Sequence, residues 1–244
     1  MITVGTRVYA LGAIALGVVG LVWGDFALVW QPVPPGVPQR TQLAYLFAGV
    51  MALAGLGINW RRTAASGAAA LCVLFALVVV LLHVPRILAH PQVFGAWSGL
   101  AEQLALLCGG LVAYALVSGA RLPLRVGQLA FGCCAVIFGL AHFFYLKDTA
   151  DFVPGWLRPH QTFWAEFTGV AHVAAGLAIL TGLQARLAAV LLTIMFALFG
   201  ALIHAPLLIG DPHSHLNWVM NSMNLALTGA AWVVADSLAA RRLR

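Results

Sequence analysis

Residues 64–88 read AASGAAALCVLFALVVVLLHVPRIL, twenty-five positions with a single charged side chain, Arg86. Wound as an α-helix this stretch is about 37 Å long, enough to cross the roughly 30 Å hydrocarbon layer of a bilayer. It is apolar on every face, without the alternation of a barrel strand. Nor is it alone: residues 185–208, ARLAAVLLTIMFALFGALIHAPLL, have the same character. Over the 244 residues, 62% are hydrophobic, 8% are charged and mean hydropathy is +0.96. So little charge cannot cover a soluble domain. The sequence predicts an all-α polytopic membrane protein, because lipid requires each backbone polar group to be paired within its own segment.

Apolar runs interrupted by Arg, Pro and Gly give about eight transmembrane helices, at 8–30, 41–59, 64–88, 96–118, 126–146, 162–181, 185–208 and 216–238. The first run is too long for a signal peptide and ends in Trp23, Asp25, Phe26 and Trp30 instead of a small-residue cleavage site. The four cysteines, Cys72, Cys108, Cys133 and Cys134, all fall inside apolar runs with no CxxC spacing, so they read as packing residues.

The loops alternate in character. Arg7, Arg61, Arg62, Arg121, Arg125, Arg186, Arg241, Arg242 and Arg244 fall on the side of the termini and the short loops, nine cations in all. Arg40, Arg86, Lys147 and Arg158, four cations, fall on the side of the long loops. By the positive-inside rule both termini are cytoplasmic. The expected location is a bacterial cytoplasmic membrane. The net charge of +6 follows from this asymmetry and calls for no nucleic-acid partner.

The chain also repeats itself. A shift of 121 residues lays Leu71, Phe75, Ala76, Leu77, Leu81, His83 and Pro85 on Leu192, Phe196, Ala197, Leu198, Leu202, His204 and Pro206. The same shift carries Pro91 onto Pro212 and Trp97 onto Trp218. The expected organisation is two tandem four-helix repeats, 1–121 and 122–244. Four helices per copy is an even number, so the repeats should run parallel, related by an axis along the membrane normal.

Ionisable and amide side chains inside lipid are costly, so each is a candidate site residue. Asp25, His83, His142, Glu166 and His204 lie near the helix ends of the long-loop side, with Glu102, Gln103, His172, Asn221 and Asn224 deeper. Asn217, Asn221, Asn224 and Thr228 form one stripe at helical spacing. Either it joins helices by hydrogen bonds or it lines a cavity. His204, His213 and His215 are the metal candidates, although the sequence has no HExxH and no CxxCH. His142, Glu166 and His172 fall on the apolar or aromatic Leu21, Tyr45 and Met51 121 residues earlier, which makes the first repeat scaffold and the second the polar one.

The second repeat resembles the DoxX/DoxD-like family of small four-helix membrane proteins. The resemblance rests on Gly139-x-x-His142-Phe143, the loop Phe152-Val153-Pro154-Gly155-Trp156-Leu157, the run from Thr168 to Leu180, and Arg186-Leu187-Ala188-Ala189. It spans roughly 130–208, and one position departs: the family usually has Glu where this chain has His172. The family includes components of thiosulfate:quinone oxidoreductases, so the resemblance implies a redox-associated subunit, part of a quinone-linked oxidoreductase. A quinone is then the expected ligand, with haem or a metal as alternatives, and the partners are the lipid bilayer and other redox-complex subunits. The expected pocket draws on His142, Glu166, His172, His204, Asn217, Trp218, Asn221 and Asn224. Two other functions fit the same residues, a structural or assembly subunit and a small-molecule transporter. The cytoplasmic halves of the helices lack the polar groups that a through-path needs.

Overall fold

The computed structural model describes residues 1–240, so Arg241, Arg242 and Arg244, three of the cations counted above, lie outside the described residues. Among the described residues there are helices and no strands. Helix α1 (Val4–Trp23) starts on a capping box in which Thr3 accepts from the Thr6 N–H. It stops at Gly24, whose φ of 61° is the left-handed conformation that favours glycine. The stop comes seven residues before the expected one. The apolar residues that follow, Phe26 and Ala27, fold back and are buried in a loop that contains a short 3-10 turn, Leu28–Trp30.

The chain continues through α2 (Arg40–Ile58) and then a bent rod made of α3 (Ala64–Val78), a π-helical turn (Val79–His83) and α4 (Val84–Ala89). Helices α5 (Phe94–Ser118) and α6 (Arg121–Phe144) follow, then the short α7 (Leu146–Asp151). Next come α8 (Gln161–Thr181) and a second bent rod, α9 (Ala185–Phe199), a π-helical turn (Gly200–His204) and α10 (Ala205–Gly210). Helix α11 (His215–Ala240) closes the chain. These elements make eight long rods. Seven are long and apolar enough to cross a membrane. The eighth, α11, is long enough at 26 residues but carries the asparagine stripe, and it is shielded by α1, α5 and α9.

The elements recur at a constant interval. Arg40 opens α2 and Gln161 opens α8, 121 residues later; Ala64 and Ala185, Val79 and Gly200, and Phe94 and His215 stand in the same relation. The π-helical turns both end in His-x-Pro, where proline supplies no N–H and the helix widens to accommodate it. Packing follows the same interval. The rods form a closed ring, α1–α2–α3–α5–α6–α8–α9–α11 and back to α1, with α5 and α11 also touching across the middle. The first helix of each half thus packs on the last helix of the other half.

Small residues permit this closeness. A Cβ on Gly229 of α11 would run into the backbone of Tyr9 on α1, so the two helices meet backbone to backbone there. At the same crossing the buried Tyr9 hydroxyl donates to the Leu106 carbonyl of α5 at 2.8 Å. One end of the bundle is tied by polar contacts: the Met1 ammonium donates to the Leu116 carbonyl, and the Gly5 N–H donates to the Asp236 carboxylate at 3.2 Å.

Candidate functional site

Helices α6 and α8 cross on glycine. A Cβ on Gly139 would lie 2.5 Å from the Gly169 carbonyl oxygen, and one on Gly176 would lie 2.6 Å from that of Gly132. In each helix the two glycines are seven residues apart, two turns, so both crossings fall on one seam. His142 stands three residues beyond Gly139 and His172 three beyond Gly169. The seam therefore brings the two imidazoles together, with ring centroids 4.9 Å apart and planes tilted by 39°.

Each ring is held by its own helix. His142 Nδ1 donates to the Phe138 carbonyl at 2.8 Å, and His172 Nδ1 donates to the Thr168 carbonyl at 2.8 Å. With Nδ1 carrying the proton, Nε2 of the neutral ring is an acceptor. Neither Nε2 has a hydrogen-bond partner among the described residues. Three phenylalanines enclose the pair. Phe138 meets His172 edge-on at 6.1 Å, Phe196 lies 5.4 Å from His172, and Phe199 lies 6.4 Å from His142 and 6.1 Å from His172. His172 is buried at 1% exposure, whereas His142 is half-buried beside the exposed Leu140 and Phe143. With both Nδ1 protons given to carbonyls, the hydrogen-bonding capacity left in the pair is the two Nε2 lone pairs.

The remaining expected site residues go elsewhere. Glu166 is exposed on the outer face of α8, six residues and about 240° of helical rotation from His172. The asparagine stripe is spent on main-chain carbonyls of the second bent rod. Asn217 Nδ2 donates to Leu207 at 3.1 Å, Asn221 to His204 at 2.5 Å and Asn224 to Phe196 at 3.0 Å. Two of these carbonyls also accept main-chain bonds, Phe196 from the Gly200 N–H and Leu207 from the Asp211 N–H, so Asn224 and Asn217 each take a second lone pair. His204 contributes this carbonyl, while its Nδ1 is buried without a partner. Trp218 Nε1 donates to the Pro212 carbonyl at 2.8 Å, and its ring lies 6.5 Å from Trp23. His215 stacks on Trp23 at 5.0 Å. The His213 N–H donates to Asp211 on the exposed loop.

These positions also bear on the metal candidates. His204, His213 and His215 do not come together: one belongs to the bent rod, one to the loop and one to the α1 face. Among the described residues no three of His, Cys, Asp and Glu gather as ligands for one ion. Nor does the His142–His172 pair suit a haem. Two metal–nitrogen bonds of about 2 Å end to end, with half a ring beyond each, exceed the observed 4.9 Å.

Phe138, Phe196 and Phe199 were not among the residues expected from the sequence. The repeated Gly-x-x-His spacing in two helices is the signal that points to the pair, and the rings one turn away enclose it.

Residues 122–205 match the family model described as DoxX. The matched stretch runs from the start of α6 through α8 and α9 to the second π turn, and so contains both imidazoles and the three phenylalanines. No curated protein and no solved structure matches the chain. The protein is an integral membrane protein in which residues 122–205 are similar to DoxX, and that similarity is carried by the helices that hold the His142–His172 pair.

Proposed function

We propose that the His142–His172 pair receives the headgroup of a quinol-type ligand, and that the protein is a redox-associated membrane subunit. One observation carries the reading: two imidazoles with unused Nε2 acceptors stand with their ring centroids 4.9 Å apart among three phenylalanine rings. A hydroquinone has the matching chemistry, a flat ring with hydroxyl donors and an apolar tail that remains in lipid. The imidazoles would orient it and accept protons when a partner subunit removes its electrons. The reading treats 122–244 as the second of two copies of one four-helix unit, which the 121-residue recurrence of helix starts supports. Arginine enrichment at the short-loop end supports termini on the cytoplasmic side.

The test uses the full chain in detergent or nanodiscs, titrated with a short-tailed benzoquinol and followed by intrinsic fluorescence. Changing His142 or His172 to Phe keeps a ring in the box and removes one acceptor. Each change should weaken binding by about fivefold, the worth of one hydrogen bond. If the quinol does not bind, or if both variants bind as wild type does, the structural-subunit reading takes its place.

A further inference from the structure

Glu166 is a carboxylate on the exposed face of a membrane-spanning helix, and the imidazole pair does not use it. It begins the second turn of α8, level with three exposed rings. Phe163 is 56% exposed, Trp164 36% and Phe167 53%, and Val170 continues the apolar face below them. The rings pack on one another: Phe163 and Trp164 meet edge-on at 5.4 Å, Trp164 and Phe167 at 5.8 Å, and Phe163 stacks with Phe167 at 6.1 Å. No salt bridge or side-chain hydrogen bond engages the Glu166 carboxylate among the described residues.

Helix geometry fixes where the carboxylate goes. Each Cα–Cβ bond tilts toward the helix N-terminus, so the Glu166 side chain runs back toward Gln161 and the loop, into the layer occupied by lipid headgroups. Aromatic side chains gather at that level in membrane proteins. A carboxylate beside a cluster of ring faces is a receptor for a cation, by ion pairing and by cation–π attraction together. In that layer the abundant cation is the ammonium of a zwitterionic phospholipid. The corresponding face of α2, 121 residues earlier, carries Gln42, Leu43, Tyr45 and Leu46 and has neither the charge nor the cluster.

We propose that Glu166, Phe163, Trp164 and Phe167 form a binding site for the ammonium headgroup of phosphatidylethanolamine on the lipid face of α8. The site is independent of the imidazole pair, because Glu166 lies on the exposed face of α8 and His172 on the buried one.

The experiment reconstitutes the full chain in mixed phosphatidylethanolamine and phosphatidylglycerol vesicles and adds spin-labelled versions of each lipid. The ratio of motionally restricted label measures preference. Wild type should hold the ethanolamine lipid over the glycerol lipid by about threefold, as one exposed cation–π and ion-pair contact allows. Glu166→Gln should bring the ratio to one, and because the residue is exposed the variant keeps its fold. Removing a negative charge alone would also favour the anionic lipid, so a second variant, Phe163→Leu with Phe167→Leu, keeps the charge and dismantles the cluster. It too should lose the preference. Equal retention of both lipids by wild type overturns the proposal, as does a ratio that neither variant changes. Loss of a co-purifying polypeptide in Glu166→Gln, without any lipid preference in wild type, would make this face a protein interface instead and would equally overturn it.

Discussion

Asn221 and His204 are joined side chain to main chain: the Asn221 amide donates to the His204 carbonyl at 2.5 Å, at the last residue of the second π turn. The carbonyl belongs to a helix that widens just ahead of Pro206, and the amide reaches it from the neighbouring helix. Asn221→Leu keeps the volume and leaves the carbonyl to hydrocarbon. It should lower stability by about 1 kcal/mol, the usual worth of an interhelical contact in lipid. Thermal unfolding in detergent measures the loss, and quinol affinity should hold. A variant that is equally stable but binds ligand poorly would return the stripe to the role of cavity lining.

The two halves repeat a second contact. Trp97 Nε1 donates to the Pro91 carbonyl at 2.9 Å, and Trp218 Nε1 donates to the Pro212 carbonyl at 2.8 Å. Both bonds close a loop onto the first turn of the helix that follows a bent rod. Trp97→Phe and Trp218→Phe each remove one donor and preserve most of the ring. If the halves are copies of one unit, the costs should agree, each about 1 kcal/mol. Unfolding of the two variants side by side checks this, and a difference of several-fold would speak against equivalent architecture.

The helix list was legible because lipid imposes length and apolarity together. The runs beginning at 41, 64, 162 and 185 fall within one residue of α2, α3, α8 and α9. Helix α1 was not, since hydrophobicity cannot separate a continuing helix from an apolar loop that folds back; Gly24 and the buried Phe26 and Ala27 decide that by conformation. At the site, His142 and His172 share the Gly-x-x-His spacing, so their meeting was encoded locally. The separation of Glu166 from His172 follows from 100° per residue and was open to the same arithmetic. The partners of the asparagines were hidden. Whether an amide faces a cavity or a carbonyl depends on how the neighbouring rod packs, and the acceptors here are main-chain carbonyls that no side-chain pattern marks.

The glycine seam offers a direct handle on the imidazole pair. A methyl group at Gly139 would meet the Gly169 carbonyl at 2.5 Å and Val173 Cγ2 at 2.6 Å, so the helices must separate. Gly139→Ala should cost about 1–3 kcal/mol, as overpacking does. It should also weaken quinol binding, because the imidazoles move apart with the helices. Gly155→Ala is the control: nothing lies within 4 Å of the added methyl there, and stability and affinity should both hold. Unfolding midpoints and quinol titrations of the two variants give the comparison. Unchanged affinity in Gly139→Ala would show that the close crossing does not set the pair.

Orientation in the membrane is open to labelling. Arg62 lies in the loop between α2 and α3, at the end of the bundle where the Met1 ammonium meets Leu116. Asp151, the last residue of the short α7, and His213, in the loop before α11, lie at the other end, and all three residues are exposed. The four native cysteines lie within α3, α5 and α6, so wild type should give a low blank with a charged, membrane-impermeant maleimide. In intact cells Asp151→Cys and His213→Cys should react, whereas Arg62→Cys should stay protected until the membrane is opened. The physical cause is the retention of arginine-rich short loops on the cytoplasmic side during insertion. Exposed substitutions of this kind change stability by less than about 0.5 kcal/mol, so an altered fold would not explain the pattern. Labelling at residue 62 with protection at 151 and 213 would invert the protein, and the imidazole pair and Glu166 would then open to the cytoplasmic leaflet.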